Sequence, residues 1–166
     1  MATGQHMPDA EQSSRERAAA VGIVRTLRDA GFTAYFAGGC VRDLLLRQTP
    51  KDYDVATDAR PDDIAKLFKR TSEVGAHFGV VIVREHGVII EVATFRADGE
   101  YTDGRHPDSV TFAGEVEDAR RRDFTINAMF MVPPEINGGS AEDPPEVIDH
   151  VGGLADLHRR CIRAVG

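Results

Sequence analysis

Apolar residues recur at helical spacing over residues 14–30, where Ala18, Val21, Ile23, Val24 and Leu27 mark one face, and Gly31 is a natural stop. Residues 34–37 form a short apolar run that reads as a buried strand. Gly38 and Gly39 turn it into a helix reaching about Arg47, and Pro50 bars continuation. Residues 53–57 read as a strand. Pro61 fits the first turn of a helix, with Asp58 as its candidate cap and Ile64, Leu67 and Phe68 as its buried face. Residues 80–84 and 88–95 predict two strands joined near His86-Gly87 as a hairpin. Residues 97–108 hold Gly, Asp and Pro with little apolar content and read as a mobile loop. A long helix is predicted over about 116–131 from Ala119, Phe124, Ile126 and Met129. A second loop follows at 133–145, then a short strand at 147–148, a short helix at 153–158 and a strand-like piece at 162–165. Residues 1–13 are polar and expected to be flexible, which leaves residues 14–166 as one domain.

Composition agrees with a folded domain. The 166 residues suit a single core, and 42% hydrophobic against 28% charged residues excludes a disordered chain. The apolar runs are too short to span a bilayer, and the polar N-terminus has no apolar signal segment. Cys40 and Cys161 stand alone, as free thiols in a reducing cytoplasm would. The formal net charge of −7 argues against strong nucleic-acid binding by this stretch on its own.

Four groups of residues carry candidate chemistry. Gly38-Gly39 at a strand-to-helix turn lets a phosphate approach backbone N–H groups, and Arg42 lies one helical turn further on, within reach of a terminal phosphate. The same pair also serves as an ordinary tight turn. Asp52 and Asp54 flank one residue on a predicted strand and so face one side. Two such carboxylates repel unless a cation lies between them, and hard oxygen ligands suit Mg²⁺. The alternative is a solvated Asp-x-Asp at a strand edge. Glu91 interrupts an apolar strand. It completes a carboxylate cluster if its strand lies beside that of Asp52 and Asp54, or else it pairs with Arg84 or Arg96. Arg120-Arg121-Arg122-Asp123-Phe124-Thr125-Ile126-Asn127 places cations, an acid and an amide together, either to hold a triphosphate and a ribose or as a solvated charged face. Cys40 at a helix start is a weak candidate nucleophile, and packing under the turn is the better reading. The six histidines are scattered, against a zinc site, and no P-loop occurs.

Taken together, these segments resemble the catalytic head domain of the bacterial-type (class II) tRNA nucleotidyltransferase and poly(A) polymerase family. Gly-Gly-Cys-Val-Arg-Asp-Leu-Leu-Leu with Asp-Tyr-Asp-Val-Ala-Thr is similar to the family's first motif. Residues 121–128 are similar to its second, and Val147-Ile148-Asp149, Gly152-Gly153-Leu154-Ala155-Asp156-Leu157 and 162–166 to its third. The resemblance covers roughly residues 33–166. It implies an α/β (α+β) polymerase-β-like nucleotidyltransferase fold, a mixed sheet backed by helices. It also implies two-metal transfer of CMP and AMP from CTP and ATP to the 3′ end of tRNA. Asp52 and Asp54 would hold Mg²⁺, with Glu91 completing the catalytic carboxylates. Gly38, Gly39, Arg42, Arg122, Asp123 and Asn127 would bind the nucleotide, and residues 97–108 would correspond to a segment associated with the switch from adding C to adding A. Members of the family continue into neck, body and tail helices that select the base and bind tRNA. Their Glu-Asp-x-x-Arg-x-x-Arg helix does not occur here, so the chain is expected to be part of a longer polypeptide. CC- or A-addition and poly(A) synthesis are the alternative activities. Residues 74–79 lack the Gly-Arg-Arg-Phe-like segment of the poly(A) polymerases. A nucleotide-binding regulatory module without turnover is the alternative of another class.

Overall fold

Helix α1 (Ala10–Asp29) buries Ala20, Ile23, Val24 and Leu27 along one stripe, as its spacing predicts. It ends where Gly31 adopts φ 93°, a left-handed conformation suited to glycine. The computed structural model describes residues 10–73, 75–99 and 110–166. The helix therefore starts earlier than its apolar pattern indicated, with Ser13 already buried, and residues 1–9 lie outside the described ones.

After α1 come β1 (Ala34–Ala37), α2 (Gly39–Leu45), β2 (Asp54–Thr57), α3 (Pro61–Leu67), β3 (Thr71–Ser72), β4 (Val80–Glu85) and β5 (Val88–Thr94). Next are β6 (Arg96–Asp98), β7 (Val110–Phe112), α4 (Glu115–Arg120), β8 (Phe130–Val132), β9 (Glu146–Ile148) and α5 (Gly153–His158). Seven strands form one mixed sheet in the order β3-β4-β5-β2-β1-β8-β9. Among the described strands, only β2 and β5 pair in parallel, and the register sets Asp54 opposite Glu91. β6 and β7 make a separate two-stranded ribbon. No described helix is long and apolar enough to cross a membrane.

The sheet carries a core on each face. On one, α1 and α3 cover Phe36, Val55, Val81, Val83, Ile90 and Val92. On the other, Ala37, Ala56, Phe95, Ala128 and Phe130 pack with Ala119 of α4. This second face is covered over only part of its width. Along β5, Val88, Ile90 and Val92 are buried while Ile89 and Glu91 are exposed, so the run alternates although its composition looks uniformly apolar.

Several sequence expectations need correction. The long helix over 116–131 does not form. α4 stops at Arg120, Phe124 is extended, residues Thr125–Asn127 make a single 3-10 turn, and β8 then pairs with β1. A surface helix buries one stripe, whereas Ala128, Met129, Phe130, Met131 and Val132 are all buried. A strand between cores on both sides needs that continuous burial. Asp58 does not cap α3; its carboxylate accepts the Thr33 N–H at 2.8 Å, and Arg60 occupies the cap position. Residues 97 and 98 belong to β6 rather than to a loop, and residues 100–108 lie outside the described ones. Of residues 162–165, only Ala164 bridges to another strand-like residue, Phe124. The loop at 133–145 contains a 3-10 turn, Pro134–Asn137, tied to α1 by a 2.8 Å Arg17–Glu135 ion pair.

Candidate active site

The β2–β5 ladder builds the acidic side of the site. Residues in register on parallel neighbours face the same way, so Asp54 and Glu91 project side by side. Asp52, two residues before Asp54 and just outside β2, joins them, and the three carboxylates line one cleft of about 510 Å³. Burial, and then repulsion from Glu91 and Asp52, pushes the Asp54 carboxyl up to about 6, with Arg122 acting in the opposite direction. Burial is the larger of these causes, and the acidic neighbours add to it. Among the described residues, no three His, Cys, Asp or Glu side chains form a ready-made metal cage.

The glycine turn builds the opposite side. Gly38 has φ 75° and ψ −142°, which an L side chain rarely adopts. A Cβ at Gly38 would lie 3.6 Å from Arg122 Nη1 and 3.9 Å from Asp54 Oδ2, so the position looks directly onto both groups. Arg42 folds back over Gly39 and donates from Nη1 to Asn127 Oδ1 at 2.7 Å. Asn127 Nδ2 in turn donates to Asp123 Oδ1 at 3.4 Å, which also accepts the Phe124 N–H at 2.7 Å. Gly38, Gly39, Arg42, Arg122, Asp123 and Asn127 line one cleft of about 390 Å³ together with Asp54 and Arg121. Asp54 lines both clefts and joins the acidic side to the basic one. Cys40 is buried, its thiol donates to Ala37 O at 3.2 Å, and burial pushes its pKa up to about 12, which removes it as a nucleophile.

Residues 34–163 match the model of the poly A polymerase head domain. The chain belongs to that family. It is 44% identical to the CCA-adding enzyme of Levilactobacillus brevis over 163 residues, 98% of this chain and 37% of that protein. The crystal structure of Bacillus stearothermophilus CCA-adding enzyme in complex with CTP superposes with a TM-score of 0.74 at 41% identity, covering 90% of this chain and 33% of that one. A tRNA nucleotidyltransferase complexed with a primer tRNA and an incoming ATP analog gives 0.64 at 30% identity, covering 87% and 39%. The chain spans little more than a third of the length of the curated relatives it matches.

In this head domain, four supporting residues lie behind the cleft without having been given a role from sequence. Asp118 is 1% exposed and grips Arg121 and Arg122. An acid four residues before an arginine is the signal that marks it. Asp149 accepts backbone N–H groups from Val151, Gly152, Gly153 and Leu154 at 2.9–3.2 Å and so starts α5. Gly153 lets α5 press on the 125–127 turn, because a Cβ there would overlap the Thr125 carbonyl. Asp156 accepts the Thr125 hydroxyl at 2.6 Å and Arg163 Nη2 at 2.8 Å. No local pattern links Asp156 to Thr125, since the contact spans 31 residues.

Proposed function

We propose that this head domain catalyses nucleotidyl transfer to the 3′ end of tRNA, adding CMP and AMP from CTP and ATP. The observation that carries this reading is the single cleft shared by Gly38, Gly39, Arg42, Arg122, Asp123 and Asn127, joined through Asp54 to Asp52 and Glu91. Triphosphate chemistry needs cations and close backbone approach on one side and metal-binding carboxylates on the other. The relatives named above, which include a CTP complex, support the same substrates. We take residues 14–166 as one domain, since the core on the α1 face of the sheet draws on residues from Ala19 to Leu157. The two free cysteines fit a cytoplasmic setting.

The donor set fits Mg²⁺. Asp52, Asp54 and Glu91 are hard oxygen ligands lining one cleft, and Mg²⁺ binds through one or two carboxylates plus substrate phosphates rather than in a full protein cage. Asp52 and Asp54 would hold the metal, with Glu91 beside them. Bound there, it would supply charge neutralisation at the reacting phosphate and acidify the attacking hydroxyl. The protein's own groups do the positioning. The open backbone at Gly38-Gly39 admits the triphosphate, and Arg122 and Arg42 hold its charge. Asp123 and Asn127, already bonded to each other, seat the sugar. These contacts align the α-phosphate with a 3′-hydroxyl that attacks it as pyrophosphate leaves, so that much of the barrier is met by orientation.

The test is titration of the chain with CTP, ATP, GTP and UTP in Mg²⁺, alongside transfer to a tRNA lacking its 3′ CCA by a chimera in which this chain replaces the matching part of the Levilactobacillus brevis enzyme. Triphosphate binding by the chain that needs Mg²⁺, and CCA-extended products from the chimera, are expected. The phosphate-gripping residues read no base, so the four nucleotides should bind with similar affinity. Products of CC or A alone, or a long poly(A) ladder, would reassign the activity within the family. Binding by the chain with no transfer by the chimera would favour a regulatory nucleotide-binding module, and absence of binding would overturn the reading.

A further inference from the structure

We infer that Asp118 is a positioning residue that presents Arg122 to the triphosphate; this rests on the nucleotidyl-transfer reading above. Its carboxylate is almost wholly enclosed. Oδ2 accepts Arg122 Nη2 at 2.8 Å and Arg122 Nε at 3.2 Å. Oδ1 accepts Arg121 Nε at 3.1 Å and the Arg96 backbone N–H at 3.1 Å.

The geometry divides the Arg122 guanidinium between two tasks. Nε and Nη2 turn back to Asp118, and Nη1 is the nitrogen that faces Gly38. The same guanidinium lies 5.5 Å from the centre of the Phe130 ring. A long, flexible side chain is thus held from behind by a charge-assisted fork and from one side by an aromatic face. Side-chain entropy that would otherwise be lost on ligand binding is lost on folding instead. The direction also matters electrostatically. Without Asp118, Arg122 would be drawn onto Asp54, which faces the same Gly38 position as Arg122 Nη1 and already interacts with it. An arginine collapsed onto Asp54 would be withdrawn from the phosphate and would compete with the metal for that carboxylate.

Asp118 also holds the first residue of β6, so loss of its carboxylate could weaken nucleotide binding through the β6–β7 ribbon instead. A double-mutant cycle separates the two routes. Mg²⁺–CTP affinity is measured by calorimetry for the wild-type chain, Asp118→Asn, Arg122→Ala and the double variant, with cytidine as a control lacking phosphates. Asp118→Asn should weaken CTP about tenfold, as loss of a charge-assisted contact would. It should leave cytidine binding unchanged and add almost nothing once Arg122 is absent. An equal loss in both backgrounds, or loss for cytidine as well, would overturn the proposal in favour of a structural role. Unchanged CTP affinity in Asp118→Asn would overturn it too. Should that variant fail to fold, Asp118→Glu keeps the charge and is read in the same cycle. Failure of the wild-type chain to bind CTP would count against the nucleotidyl-transfer reading itself.

Discussion

Asp54 and Glu91 stand on neighbouring strands that a backbone ladder and a core hold in register, whereas Arg122, Asp123 and Asn127 ride on the connection between α4 and β8, whose one regular piece is a single 3-10 turn. The first pair needs no side-chain support for its placement. The second group depends on supports from distant residues: Asp118 behind Arg122, Gly153 and Asp156 against Thr125, and main-chain bonds from Thr125 N to Arg163 O and Val165 N to Asp123 O. The acidic side is thus a property of the sheet. The basic side is held by residues 146–166 and α4, which also add β9 to the sheet and Leu157 and Ala119 to its two cores. Changes in the first region should alter chemistry with little cost in stability, while changes behind the second should alter stability and binding together.

The largest expected effect tests the first half of that contrast. Asp54→Ala should lower transfer on the order of 10³-fold or more, the scale of losing a group that stabilises transition-state charge. Its urea midpoint should equal or exceed that of the wild type, because the change removes a carboxylate that burial and repulsion disfavour. A variant that keeps its activity would remove Asp54 from the chemistry, and one that unfolds would erase the contrast.

Next comes Gly153→Ala, which meets the Thr125 carbonyl and comes within 3.0 Å of Met129 Cγ. Overpacking of this kind costs about 3 kcal/mol. Denaturant titration should show that loss, and nucleotide affinity should fall with it because Thr125 leads directly into Asn127. Wild-type affinity in a destabilised variant would show that the turn does not depend on α5.

Thr125→Val is a smaller version of the same test. It leaves Asp156 without its 2.6 Å hydroxyl partner but keeps Arg163, so a cost of about 1–2 kcal/mol is expected in urea unfolding. A neutral result would mean that main-chain bonds alone hold the turn.

The smallest effect concerns Asp149. Burial pushes its carboxyl up, but the backbone N–H groups of Leu154, Gly153, Val151 and Gly152 outweigh that and hold it below the usual value of 3.8. The unfolded chain then takes up the proton more readily than the folded one. The stabilisation is complete above the unfolded value and is lost as pH falls from there through the lower folded value. Asp149→Ala should cost about 1 kcal/mol at neutral pH, as loss of a helix cap does. Unfolding free energies measured from about pH 5 down to about pH 2.5 should fall less steeply in the variant than in the wild type. Identical slopes would show that the cap carries no linked proton.

Local patterns were enough to place α1, the β4–β5 hairpin, α5 and the glycine turn, because each rests on spacing or on a residue with special backbone freedom. Gly31, His86-Gly87 and Gly38 do adopt positive φ angles. The candidate residues were equally legible, since the glycine pair and the Asp-x-Asp lie close in sequence and carry their chemistry in their side chains. The stretch 121–132 was not. Its apolar positions fit a helix, but β1 needs a partner on its outer edge, and the pairing of Phe36 with Met131 satisfies backbone groups that a surface helix would leave unpaired. The supports Asp118, Gly153 and Asp156 acquire meaning only through the groups they touch. Sequence by itself determined which chemical groups the chain carries and where its strong local elements start and stop. The tertiary structure decided that Glu91 stands beside Asp54, that residues 130–132 form a strand, and which residues hold the arginine side of the cleft. Those outcomes depend on pairing and packing between residues far apart in the chain, and no local propensity encodes them.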